Sequence, residues 1–75
     1  MGRKKAEIYD RTWLEKARLE RGLTQTSVAK AAGVNNSDYN RIERGLQEPR
    51  VKAGIRICEF LKLNPRSFLS EKPIG

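Results

Sequence analysis

Apolar residues return along this chain at helical spacing. Leu14, Ala17 and Arg18 share one face by i, i+3, i+4 spacing, and Val28, Ala29 and Ala32 form a second stripe. Tyr39 and Ile42 make a third, and Ile57, Cys58 and Leu61 a fourth. There is no run of β-branched residues and no period-two alternation, so the chain reads as all-α. Gly22, Gly33 and Gly45 each follow a segment of good helix formers, where a left-handed residue is wanted at a helix end. The pattern predicts helices over residues 11–21, 25–32, 36–44 and 51–62, then a short last turn over 65–69.

The polar residues between the stripes supply helix starts. Asp10, Thr24 and Asn35 stand where an N-cap is needed. Asp38 follows Asn35 at capping-box spacing, which predicts a carboxylate turned back on its own first turn. Pro65 suits a first helical turn, where its missing N–H costs nothing. The expected architecture is a compact four- to five-helix bundle over residues 10–69, with a basic arm over 1–9 and a tail over 70–75.

Composition narrows the function. The chain has 75 residues, 16 Lys+Arg against 9 Asp+Glu, and a formal charge of +7. So large an excess on one small domain points to a polyanion, either nucleic acid or an anionic membrane. No apolar run approaches the ~18 residues of a membrane span, and the charge is not gathered on one amphipathic helix. Residues 1–10 hold no signal-peptide apolar stretch, and Ala6 stands where a myristoylation signal wants Ser or Thr, so a cytoplasmic protein is expected. There is no histidine and one cysteine, Cys58, which reads as a core residue. A disulfide framework, a multi-cysteine zinc site and the usual general base are therefore excluded. No enzyme activity, cofactor, resident metal or small-molecule substrate is expected.

Only Gly33, Val34 and Asn35 lie between the second and third helices, and so tight a turn makes them cross steeply. Ala29 and Gly33 are small enough for the crossing, and Val34 can plug the space beneath it. Residues 37, 40, 41 and 44 then share a polar face opposite Tyr39 and Ile42. Arg41 could grip guanine O6 and N7, and Asn36 or Asn40 could pair with adenine N6 and N7.

From Ala17 to Leu69 the chain resembles the Cro and phage-repressor helix-turn-helix family, also called XRE. The residues that carry the likeness are Arg18-Leu19-Glu20-Arg21-Gly22-Leu23-Thr24-Gln25, Val28-Ala29, Gly33-Val34, Ile42-Glu43-Arg44-Gly45, Pro49 and Ile57-Cys58-Glu59-Phe60-Leu61. The resemblance implies a lambda-repressor-like DNA-binding domain that reads a double-stranded operator as a homodimer. It implies that Asn36, Ser37, Asn40 and Arg41 face base edges. It implies that Gln25 bonds a phosphate and steadies the first of those residues, Asn36, and that Arg44 touches phosphate. Arg18 and Glu43 are implied to form a salt bridge tying the first helix to the third. Arg50 is divided between phosphate contact and plain solvation.

The resemblance also implies a large apolar residue at position 54, where this chain has Gly54; Trp13 or Phe60 is expected to fill the gap. The expected dimer surface is the end of the fourth helix and the last turn, with Pro65, Phe68 and Leu69. The leading expectation is a transcriptional regulator, most simply a repressor. The alternative is a protein-interaction module of the same fold, such as an antitoxin or anti-repressor.

Overall fold

A computed structural model describes residues 8–71. It contains α1 (Thr12–Glu20), α2 (Gln25–Ala32), α3 (Asn36–Glu43), α4 (Val51–Phe60) and a 3₁₀ segment, Pro65–Ser70, with no strand among the described residues. The stripes converge as their spacing requires. Leu14, Ala17, Val28, Ala29, Ala32, Tyr39, Ile42, Ile57 and Leu61 form one buried cluster, with Trp13, Leu23, Val34, Leu63 and Phe68 packed against it. Cys58 is fully buried beside them, and burial pushes its thiol pKa up.

All four α-helices end alike. In each, a left-handed residue donates its N–H to a carbonyl three residues back, and the next residue donates five back, which satisfies carbonyls the helix leaves free. The left-handed residues are Gly22, Gly33 and Gly45, and for α4 Lys62 at φ +60°. At Gly45 (φ +79°) glycine is required twice over, because a Cβ would also run into the backbone of Tyr9. Tyr9 donates its N–H to the Gly45 carbonyl at 3.1 Å, so this turn fastens the entering chain to the end of α3.

Some expectations need correction. Asp10 does not cap a helix opening at Arg11. It accepts from the N–H and hydroxyl of Thr12 at 3.0 and 2.8 Å, and Arg11 takes the cap position with non-helical backbone. The Arg11 side chain is buried.

The gap at Gly54 is filled by Phe68, whose ring carbon would lie 3.6 Å from a Cβ there, with Pro49 at 3.5 Å. Trp13 braces Phe68 edge-on at 5.1 Å, whereas Phe60 is exposed. Phe68 therefore belongs to the domain's interior, and Leu69 beside it stays outside.

The expected tail does not begin at Ser70. Ser70 closes the 3₁₀ segment, and the Glu71 side chain is only 4% exposed. Glu71 meets the Arg11 guanidinium at 2.8 Å and accepts from the Trp13 indole N–H at 3.0 Å. Arg11 also donates to the carbonyls of Ile42 and Gln47 and to Glu48, and lies over the rings of Tyr9 and Phe68. One buried arginine thus joins both ends of the described chain to the end of α3. The remainder of the expected arm and tail, residues 1–7 and 72–75, lies outside the described residues.

Candidate nucleic-acid interface

α2 and α3 are held to each other by caps and by one polar network. Thr24 and Ser27 cap α2 reciprocally: the Thr24 hydroxyl accepts from the Ser27 N–H, and the Ser27 hydroxyl from the Thr24 N–H. Gly33, at φ +76°, reverses the chain without a Cβ penalty, and the Asn35 side chain accepts from the Asp38 N–H at 2.7 Å. These short-range bonds close the start of each eight-residue helix, which would be marginal alone; the bonds of Gln25 to Glu43 and of Asn36 to Thr26 join the two.

Beneath the surface lies Glu43. Its two carboxylate oxygens receive Nε and Nη2 of Arg18 at 2.8 and 2.9 Å, the Tyr39 hydroxyl at 2.8 Å and Nε2 of Gln25 at 3.0 Å. Arg18 completes its bonds on the Leu23 carbonyl. Burial alone would raise the Glu43 pKa; the bonds from Arg18, Gln25 and Tyr39 outweigh it and hold the carboxyl below its ordinary range. The Glu43 bond raises the Arg18 pKa, and burial followed by the same carboxylate drives the Tyr39 phenol up. Both members of the pair are ionised at neutral pH, and the pair ties α1 to α3.

The side chains proposed from the sequence to touch DNA take three positions. Asn36, Ser37 and Arg41 are exposed along α3, Arg44 is exposed at the cap position just past its end, where the helix expected to include it stops, and Asn40 is half-buried against α2. Gln25 steadies Asn40, accepting from its Nδ2 at 3.2 Å, and not Asn36; Asn36 donates instead to the Thr26 hydroxyl at 3.3 Å. The cause is reach: Gln25 is drawn inward by Glu43, which leaves its amide oxygen opposite Asn40. Arg50 is exposed at the cap position of α4, away from this cluster in sequence.

Asp38 is also placed differently from expectation. Its carboxylate does not fold back on its helix's first turn but receives Arg41 Nη2 at 3.0 Å, while Arg41 Nε bonds the Gln47 side chain at 3.1 Å. At i, i+3 the longer and more favourable partner wins. An exposed bridge of this kind is weak and readily exchanged, so Arg41 stays available to another acceptor. No periodic signal in the sequence marks Thr26 or Gln47, and the spacing that turns Tyr39 inward does not announce its hydroxyl bond to Glu43.

A family model, HTH_3, described as helix-turn-helix, matches residues 14–68. The chain belongs to this helix-turn-helix family. Its members of XRE type are DNA-binding transcriptional regulators, not enzymes. The chain is 47% identical over 61 residues to the Bacillus subtilis (strain 168) protein named as an uncharacterized HTH-type transcriptional regulator, YqaF, covering 81% of this chain and 80% of that one. Among solved structures it is similar to SinR in the SinR–SinI protein complex, with a TM-score of 0.70 and 26% identity over 81% of this chain; it spans 60% of that chain. It is similar also to SinR, described as the master regulator for biofilm formation, in complex with DNA, at TM-score 0.66 and 27% identity, covering 77% of this chain and 94% of that one.

In the frame of a helix-turn-helix, α2 and α3 are the paired helices and α3 is the one that can enter a major groove. Its inward residues Tyr39, Ile42 and Glu43 are buried, and the Arg18–Glu43 pair ties it to α1. No helix among the described residues is long and apolar enough to cross a membrane.

Proposed function

We propose that the protein is a sequence-specific regulator of transcription that binds a double-stranded operator as a two-fold dimer and acts as a repressor in the cytoplasm. α3 lies in the major groove, where Asn36, Ser37, Asn40 and Arg41 read base edges. Gln25, Arg44 and Arg50 hold phosphates, and the Arg18–Glu43 pair sets the angle of α3. The observation that carries this reading is the division of α3: Asn36, Ser37 and Arg41 stand outward, while Tyr39 and Ile42 anchor it in the core. The charge of +7 supplies the sequence-independent attraction. Repression asks only for occupancy of the operator, the simplest output of such a head.

One subunit reads few base pairs, so a second copy is needed for affinity. Val51 (79% exposed), Ile55 (40%) and Leu69 (81%) line one groove of about 500 Å³ with Pro65, and this is the surface offered to the partner copy. The same groove favours the second reading, a protein-interaction module such as an antitoxin or anti-repressor, in which a different chain fills it.

A binding selection on random duplexes, read with the mass in solution, separates the two. The regulator yields an enriched site of two half-sites about one helical turn apart, with a dimer mass on DNA. Its log K falls with log salt at a slope of roughly −7 to −9 if about 8–10 phosphates are neutralised. No enrichment, with a shallow slope, refutes it.

A further inference from the structure

The hydrogen-bond network under α3 has a direction. Glu43 has no proton to give, since its carboxylate is held ionised by Arg18, Tyr39 and Gln25. It can only accept. The Gln25 amide must therefore turn its NH₂ toward Glu43, 3.0 Å away, and its oxygen away from it. That oxygen can only accept, so Asn40 must in turn present its NH₂ to Gln25, at 3.2 Å. The Oδ1 of Asn40 is then the acceptor left over, with no partner among the described residues. An amide that could otherwise flip freely is fixed in one sense by a charge two residues removed through space.

Asn36 differs. Its partner is the hydroxyl of Thr26, which both donates and accepts, so either sense of the Asn36 amide is satisfied.

We propose that Gln25 and Glu43 are positioning residues that fix the hydrogen-bond polarity of Asn40, so that Asn40 reads adenine in the major groove. Adenine offers an amine donor at N6 beside an acceptor at N7. Oδ1 of Asn40 accepts from N6, and the second N–H of Nδ2, the one Gln25 does not use, donates to N7. Guanine presents two acceptors there and thymine an acceptor and a methyl group, and both leave Oδ1 without a donor. Asn36, with no fixed polarity, discriminates more loosely. The inference rests on the DNA-reading function proposed above.

The test is a binding selection on random duplexes with the full chain and with Asn40→Ala and Gln25→Met, followed by affinities for single-position variants of the selected site. The unaltered protein should require adenine at the one position per half-site that Asn40→Ala releases. There the adenine-to-guanine ratio should be about tenfold or more. Gln25→Met, which keeps the length of the side chain but has no polarity, should bring that ratio close to one. A Gln25 that acts only on phosphate would instead weaken both duplexes equally and leave the ratio unchanged, which overturns the relay. Guanine or thymine at the position Asn40→Ala releases, or no position released, also overturns it.

A measurement on the unaltered protein covers the case in which Gln25→Met does not fold. Replacing the amine of that adenine by hydrogen should cost about tenfold in affinity. A loss under about twofold refutes the adenine assignment. Failure to select any site is a different result, because it removes the DNA-reading function itself.

Discussion

Gly54 offers a quantitative check on how α4 is packed. Glycine inside a helix costs roughly 1 kcal/mol relative to alanine. The Gly54 backbone is ordinary helix, and a Cβ there would stand 3.5 Å from Pro49 and 3.6 Å from the Phe68 ring, which is normal contact and not collision. Gly54→Ala should therefore gain the helix term and bury one methyl besides, about 1–2 kcal/mol together. For a domain of this size each kcal/mol raises Tm by about 4–8 °C. Gly54→Leu carries the same helix gain but brings three more carbons into the space that Phe68 occupies, and overpacking costs about 1–3 kcal/mol. Thermal unfolding followed by far-ultraviolet circular dichroism should rank alanine above glycine, and leucine below alanine. Leucine as the most stable of the three would mean that the site is a true cavity and that Phe68 does not fill it. A lower Tm for alanine would mean that the ring sits closer than described.

Glu71→Ala removes the carboxylate from a buried arginine and from the Trp13 indole; breaking such a pair costs about 3–5 kcal/mol, and the lower end is expected because Arg11 keeps Glu48 and two carbonyls. Urea unfolding should show that loss, whereas Glu20→Ala, at an exposed position, should stay within about 0.5 kcal/mol; equal effects would refute the buried pair. The Glu43 pKa lies below its ordinary value of 4.5, so its contribution is fully present above that pH and disappears as the pH falls through the lower, folded-state value. Unfolding free energy measured across the acid range should fall less steeply below pH 4.5 in Glu43→Gln than in the parent, and parallel curves would reject Glu43 as the titrating group.

The parts of this protein that are legible in its sequence are those whose causes are local. Helices α2 and α3 are bounded by residues whose own backbone or side chain does the bounding: Thr24 and Asn35 at the starts, Gly33 and Gly45 at the ends. The end of α4 uses the same geometry, but Lys62 takes the left-handed place without a glycine to announce it, so the sequence pattern runs on to Lys62 where the helix stops at Phe60. The Arg18–Glu43 pair is legible only through the family resemblance, since two charges 25 positions apart carry no periodic signal of their own.

The buried arginine shows why the rest was not legible. Arg11 and Glu71 are 60 positions apart, each in a polar stretch that reads as solvated. What buries them is a chain of spatial consequences. Gly54 leaves room on α4; the Phe68 ring enters it; Trp13 braces that ring, and its part-buried indole N–H then needs an acceptor. Glu71 supplies the acceptor, and a buried carboxylate in turn demands a cation with several donors, which Arg11 is. Each step is ordinary chemistry, but it starts from an absent side chain, and an absence at one position leaves no mark on residues so far away in the chain. The same reasoning assigns Arg11 to the scaffold and not to DNA, although it counts toward the charge of +7: its guanidinium is fully enclosed and its bonds are spent on the protein.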